Sequence, residues 1–446
     1  MDPSAAATPA PEPLWLRLLR SAVVIGLTLS LTVITALLVI GLLPAVRAAF
    51  EPVFSFESKI PKIAIGLTLL FVVFLPLALL AVAARKRWLT WPVLGLGCAL
   101  VLPVLTWLAW DEPGVRHLLP IEEFSPAFPG AGQSYAVLMQ YSKQAPSQEA
   151  RDFGTVKMAV QWTGASTREP ARWREFVTKN RAGLEADWAT LAPQRRWLDQ
   201  LNAFERFGDL TPTSPSANII SFQVWRTLSQ RACGFATLQA LDGRGDDAIA
   251  TLLPMLEAGI KLQPSSRTLV RSMVGVVVER MCLETCGIVL DLAPVSAATS
   301  ARLRAALGPD NAAALARRLI LIEYAQFAPV LSTMKLGDQA TYQGERLPFL
   351  RRPLNLLSGL LLNPNATTNR YGQHIFELAA LAEARELGRF TVQSQGFENA
   401  LWHKSGPKNL GGRLMLNLAV PAYQKVVESH WATADLRTGL RQRLAP

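Results

Sequence analysis

The chain reads as an all-α protein: three N-terminal transmembrane helices, then a large soluble domain of packed helical hairpins, an irregular α-solenoid or bundle. Three observations predict this. Residues 21–46, 63–84 and 88–110 carry no Asp, Glu, Lys or Arg, and each is as long as the roughly 20 residues a helix needs to cross about 30 Å of hydrocarbon. From residue 168 onward, apolar side chains recur at the three-to-four spacing of amphipathic helices. Gly and Pro stand where those periodic stretches stop.

Residues 1–20 are expected to form a cytoplasmic tail and residues 21–110 a three-helix anchor. The first apolar run exceeds the core of about 7–15 residues of a cleaved signal, and a second run follows soon after, so it reads as a retained anchor. Lys and Arg in short loops stay on the cytoplasmic side. The compact Arg85-Lys86-Arg87 cluster, together with Arg17 and Arg20, outweighs Arg47, Lys59, Lys62 and Arg116. This places the N-terminus inside and everything beyond Asp111 outside the cytoplasm. Trp15, Trp88, Trp91, Trp107 and Trp110 border the spans, where amphipathic rings favour the headgroup zone. The spans contain no ionisable group of the kind that proton relays and ion paths use. They read as an anchor or as an assembly surface for other membrane helices. The Ala/Leu/Arg-rich texture suits a bacterial inner membrane, with the large domain in the periplasm.

Residues 111–167 read as a loop-rich connector, rich in Pro, Gly, Ser and Gln as in PAFPGAGQSY. The helical domain follows over 168–446. EPARWREFVTKNRAGLEADWATL has Pro170 in a first-turn position and one apolar face. A second helix is expected from Pro193 to about Phe207. Ser216 or Asn218 caps a third that runs to Leu241. Gly243 and Gly245 break it, and Asp246 and Asp247 open the next helix, which Pro264 closes. Further helices are expected over Ser265–Asp291, Ser296–Leu307, Asn311–Met334, Tyr371–Leu387 and Gly411–Ala432. The apolar run 353–362 is too short to cross a bilayer and reads as a buried core helix. The basic tail with Arg437, Arg441 and Arg443 reads as a solvated face.

The segment 219–264, and within it GRGDDAIATLLPMLEAGIKLQP, resembles a tetratricopeptide-type helical hairpin. Helix, glycine turn, acidic start and terminal proline follow in that order. Gly243 and Ala248 keep the five-residue offset of that family, while Pro264 comes about four residues late and Pro254 sits mid-helix. No second copy recurs at a fixed period. The resemblance implies hairpin turn positions at Gly243, Gly245, Ala248 and Pro264, and partner binding in a groove without catalysis.

Residues with catalytic or ligand chemistry are sparse. Ser332-Thr333-Met334-Lys335 has the Ser-x-x-Lys spacing of penicillin-binding enzymes, in which Lys335 would lie one helical turn from Ser332 and help activate its hydroxyl. Lys404-Ser405-Gly406 imitates their second triplet. Here, however, the serine ends a helix, and the two motifs are too close in sequence to enclose a helical lobe. A serine hydrolase of the envelope using Ser332 and Lys335 is therefore the alternative, and no catalytic residue is assigned.

Cys282 and Cys286 lie at i and i+4 of one helix, with no His near enough in sequence to complete a zinc set. They read as buried thiols behaving as small apolar residues. A bridge from Cys233 to Cys282 or Cys286 is the alternative that an oxidising compartment would permit. His374 and Glu377 lack the further carboxylates a bundle metal site needs. Asn365-Ala366-Thr367 fits a glycosylation acceptor but reads better as a turn and helix cap. No cofactor or metal is expected.

Beyond residue 110 the 37 basic and 30 acidic residues leave a net charge of +7, which suits anionic neighbours such as lipid headgroups, envelope polymers or an acidic partner. No basic run is interleaved with stacking aromatics, so nucleic acid is not an expected partner. The sequence points to a non-catalytic, membrane-anchored helical module that binds a protein partner in assembly of a cell-envelope complex. The remaining alternative is a membrane-complex subunit acting mainly through its spans.

Overall fold

The computed structural model describes residues 110–126, 128–140, 168–212, 223–333, 341–342, 345–346, 362–403, 409, 416 and 423–445. The expected spans 21–46, 63–84 and 88–110 lie outside them, save for Trp110 at the end of the third. Among the described residues no helix is long and apolar enough to cross a membrane. The fold is all-α. Its only described strands are Thr341–Tyr342 and Glu345–Arg346, a two-residue antiparallel pair.

The described residues fall into two compact units. The larger takes those within 115–333, 368–396 and 420–446. It begins with a 3-10 turn at Ile121–Glu123 and α1, Ala131–Gln140, so the expected connector holds a ten-residue helix. The single helix expected after Pro170 is two: α2, Pro170–Lys179, and α3, Arg181–Thr190. They part at Asn180, whose side-chain amide donates to the Phe176 carbonyl (2.8 Å). A short polar side chain that bonds its own backbone competes with helix continuation in this way. Next come α4, Ala192–Asn202, α5, Gln223–Leu241, α6, Gly245–Ser265, and α7, Leu269–Leu292. Residues 213–222, including Ser216 and Asn218, lie outside the described residues. α8, Ala297–Ala306, and α9, Ala312–Thr333, follow. α10 spans Pro364–Glu383, α11 Leu387–His403 and α12 Tyr423–Arg443.

The hairpin turn forms at the expected glycines. Gly243 adopts φ 78°, which glycine takes without a Cβ penalty, and Arg244 N–H closes the end of α5 on the Gln239 carbonyl (2.8 Å). A Cβ at Gly245 would lie 2.3 Å from the Pro294 carbonyl oxygen, so the residue must be glycine for α6 to start against the α7–α8 link. Ala248 is fully buried.

Two expectations at this hairpin need correction. Pro264 does not close α6, which continues through Ser265. Asp246 does not cap its own helix. Its carboxylate accepts the Ser296 N–H (2.9 Å) at the start of α8, a bond that holds its pKa below the usual carboxylate range. α7 starts at Leu269, later than Ser265, because Thr268 is its N-cap and accepts the Arg271 N–H.

The α6–α7 pair is the centre of the larger unit. The two helices approach closely enough that a Cβ at Gly275 would sit 2.7 Å from the Gly259 carbonyl oxygen. Trp173, Trp197 and Trp225 are buried around this pair. The Trp173 indole N–H donates to Thr237 Oγ1 (2.9 Å) and that of Trp197 to the Val137 carbonyl (2.7 Å), so each polar tip is satisfied.

The basic C-terminal helix also departs from expectation. Arg437 is buried, with both Nε and Nη2 on Glu279 of α7. Arg441 bonds the Leu307 carbonyl (2.9 Å), and Arg443 pairs with Asp291 (2.7 Å). Arg437 is thus buried and Arg441 half-buried against acceptors far away in sequence, whereas Arg443, though paired, stays exposed as expected.

In the smaller unit the start of α10 is tied to the chain near residue 110. The Asp111 carboxylate accepts the N–H groups of Asn365 and Ala366 (2.9 Å each), which otherwise have no helical partner. The Asn365 side-chain amide donates to the Glu112 carbonyl (2.8 Å), and Asn365-Ala366-Thr367 lies within the first turn of α10, where a turn and a helix cap were expected.

Candidate functional site

Four helices of the larger unit enclose a groove of about 780 Å³, with α3 and α4 on one side and α5 and α6 on the other. Both ends are pinned. At one end the Arg181 guanidinium makes a two-pronged contact with Asp242 (3.0 and 2.8 Å), and the buried Arg231–Asp187 pair (2.9 Å) joins α5 to α3. At the other end the Asn202 amide donates to the Pro254 carbonyl (2.7 Å), and Lys261 Nζ donates to the carbonyls of Asn202 and Phe204 (2.9 Å each). Burial lowers the Lys261 pKa, against the upward pull of Glu257 and Glu205.

The groove is apolar at its base and polar along its walls. Leu198, Leu228 and Met255 form the base. The Trp188 ring stacks on Phe235 with centroids 5.3 Å apart, and the Arg195 guanidinium lies 4.7 Å from the Trp188 centroid. On the opposite wall the Thr251 hydroxyl donates to Gln239 Oε1 (2.8 Å). Pro254, mid-helix in α6, has no N–H to give the Ala250 carbonyl, so that acceptor lacks its usual helical donor. Both residues line the groove. Among the described residues the Asp199 carboxylate, also on the lining, has no ion-pair or hydrogen-bond partner.

No family model, characterised protein or solved structure matches this chain.

The groove is therefore read from its own chemistry. Its titratable lining residues are Glu185, Arg195, Arg196, Asp199 and Asp247, with no His, Cys, Ser or Tyr among them. That set offers anchoring surface, charge and hydrogen-bond acceptors to a ligand.

The sequence-derived candidates fall elsewhere. Ser332 lies in the last turn of α9, and its hydroxyl donates back to the Pro329 carbonyl (2.9 Å). Lys335 and the Lys404-Ser405-Gly406 triplet lie outside the described residues. Cys233, Cys282 and Cys286 are all free and fully buried, drawn together where α5 meets α7. The Cys233 thiol bonds the Met281 carbonyl (3.6 Å). A hydrogen bond with Cys233, then burial, pushes the Cys282 thiol well up, and burial pushes Cys286 up. His374 is buried, with its pKa pushed down to about 4 by desolvation, whereas Glu377 is exposed and accepts from Gln373 and Gln393. The two do not form a common site, and among the described residues no cluster of His, Cys, Asp and Glu is arranged to hold a metal.

Two buried polar clusters were not foreseen. Asp209, fully buried, accepts from Thr211 Oγ1 (2.5 Å) and the Arg267 N–H (2.6 Å) and pairs with buried Arg271 (2.8 Å). Arg318 joins this region through the carbonyls of Phe124 and Ser266 and stands over the Phe124 ring. Burial brings the Arg318 pKa down to about 10. The second cluster gathers Glu323, Tyr371 and Tyr423. The two phenol oxygens are 2.9 Å apart, and Glu323 accepts the Leu269 N–H at the start of α7. Each cluster joins residues from distant segments, so spacing in the sequence carries no sign of it. Of the residues singled out in the sequence, Asp247 and the mid-helix Pro254 fall on the groove.

Proposed function

We propose that this chain is a membrane-anchored, non-catalytic helical module that holds a polypeptide partner in the groove between α3–α4 and α5–α6, and thereby helps assemble or position a cell-envelope complex. The observation that carries this reading is the groove itself. It is pinned at both ends, has an aromatic and aliphatic base, and has walls of charged and hydrogen-bonding groups. Concave sites of about 300–1,000 Å³ with an apolar lining and a few polar groups are the usual form of a binding site. The α5–α6 hairpin acts as a tetratricopeptide-style unit, one wall of a partner groove. Residues 21–46, 63–84 and 88–110 anchor the chain in the inner membrane, with lipid around them and the helical domain outside the cytoplasm.

A photoreactive benzoylphenylalanine at exposed Ala189 or Ala250 of the full chain, activated in intact cells, tests the groove. The expected result is one reproducible crosslinked protein, lost when Trp188→Ala is added. Crosslinks that are absent, or that ignore Trp188, would defeat the proposal. Protease applied to spheroplasts tests the orientation: cleavage beyond residue 111 without lysis is expected, and full protection would reverse the topology.

A further inference from the structure

We infer that the outward face of α7 is the docking seat of a segment of this same chain, residues 155–163, whose Val156, Met158, Val160 and Trp162 lie along it. That segment is outside the described residues, and the seat belongs to the larger unit.

α7 turns an apolar stripe outward. Gly275, Glu279 and Cys282 are on its buried side, toward α6, α12 and α5. On the opposite side Val270, Met273, Val274, Val277 and Met281 recur at the three-to-four spacing of one helix face. Val270 and Val277 are 44% and 46% exposed, and the other three are half-buried. The outer side of an amphipathic helix normally carries charged and polar residues. Here apolar side chains run on for about 17 Å, at 1.5 Å per residue. A continuous exposed stripe of this kind marks a docking surface.

The missing stretch of chain ends on that face. Residues 141–167 separate α1 from Arg168, and Arg168 pairs with Glu284 of α7 (3.2 Å). Glu284 lies three residues beyond Met281 and also holds Arg280 (2.9 Å). The direction of approach follows from α2. Trp173 bonds Thr237 of α5 (2.9 Å), and Arg181 bonds Asp242 just past the end of α5 (2.8 Å), so α2 runs with α5. α5 and α7 both return against α6 and share a direction, with Cys233 of the one level with Met281 of the other. Followed back from Arg168, the chain therefore comes from the Val270 end of α7.

The segment has the matching pattern. In TVKMAVQWT the apolar residues stand at every second position, with Thr155, Lys157 and Gln161 among those between them. That is the period of an extended chain with one apolar edge. From Val156 to Trp162 such a chain covers about 20 Å, close to the length of the stripe. TGAST, rich in turn-forming residues, takes up the slack before Arg168.

Benzoylphenylalanine in place of Val277, in the full chain in detergent, tests the occupant. After irradiation and trypsin, mass spectrometry should find residue 277 joined to the peptide 158–168. A mixture of light and heavy-isotope chains should show both ends coming from one molecule. Capture of a second copy, of another protein, of a different segment or of detergent alone overturns the inference, as does the absence of any crosslink.

The apolar edge is tested through Val277→Cys. Maleimide should reach that thiol about tenfold faster when Trp162→Ala is added, the scale of one lost apolar side-chain contact. Lys157→Ala and Gln161→Ala should leave the rate unchanged. Cys282, buried in the core, should stay unlabelled throughout, which separates loss of the seat from loss of the fold. Equal rates in all variants, with Cys282 silent, overturn the inference. If Cys282 is labelled, the crosslink decides.

Discussion

Arg437, nine residues from the C-terminus, places Nε at 2.6 Å and Nη2 at 2.5 Å from one carboxylate oxygen of Glu279 in the middle of α7. The other oxygen accepts from Gln263 of α6 (2.6 Å), so α6, α7 and α12 meet at one buried carboxylate. Burial pushes the Glu279 carboxyl up while Arg437 pulls it down. Removing one partner of a buried pair leaves the other charge without compensation and costs about 3–5 kcal/mol. Arg437→Ala should therefore lower the unfolding midpoint of the full chain in detergent by several degrees, read from tryptophan fluorescence. Pairing it with Glu279→Gln should recover part of the loss. An unchanged midpoint for the single variant would show that α12 is held by its apolar face alone.

The pH dependence of stability should carry the signature of Glu323. Burial, offset by the bond from the Leu269 N–H, raises its pKa from the ordinary 4.5 to about 7. A carboxyl raised in the folded state contributes stability fully below the unfolded value and loses it as pH climbs through the folded one. The chain should thus lose up to about 3 kcal/mol between about pH 5 and about pH 8, and Glu323→Gln should flatten that slope. His374 works in the opposite sense: with its pKa lowered to about 4, its contribution fades as pH falls below the ordinary 6.5. Comparison with the Glu323→Gln variant separates the two. A wild-type slope that survives the substitution would assign the titration to another group.

The three buried cysteines should be chemically silent in the folded chain. Thiolates, not thiols, are the nucleophiles, and both Cys282 and Cys286 are pushed above the usual thiol range inside a dry core. Maleimide should label none of Cys233, Cys282 and Cys286 in native protein, and all three after guanidinium unfolding. Labelling without unfolding would show that the core opens at the α5–α7 contact. A pair that stays unlabelled after unfolding, until a reductant is added, would show that a bridge forms in the cell.

What could be read from the sequence was local. Ser296 is a helix cap, its hydroxyl accepting the Thr299 N–H (3.2 Å), because a cap acts within three residues. Gly243 marks its turn for the same reason. The roles of Arg437, Asp209 and Asp246 were hidden because their partners lie far away in sequence, and a charged residue on an amphipathic helix looks solvated until its neighbour is known. The groove was half legible. Pro254 stood out as a helix defect, but only the packing of α3 and α4 beside α6 makes the helix around it the wall of a groove. Trp188 was invisible as a groove residue because its spacing is that of an ordinary core position.

The close α6–α7 approach gives the sharpest packing prediction. A methyl group at residue 275 would meet the Gly259 carbonyl oxygen at 2.7 Å and the Gln263 Cγ at 2.8 Å. The first contact is backbone and cannot rotate away. The helices must separate, which loosens the Gln263–Glu279 bond in the same layer. Overpacking of this kind costs about 1–3 kcal/mol, against the gain of up to about 1 kcal/mol that Gly→Ala normally brings to a helix interior. Gly275→Ala should therefore lower the unfolding midpoint. Gly439→Ala in α12, where an added Cβ meets nothing within 4 Å, should raise it. The opposite signs of two chemically identical substitutions are the test: if both variants are stabilised, α6 and α7 do not pack this closely.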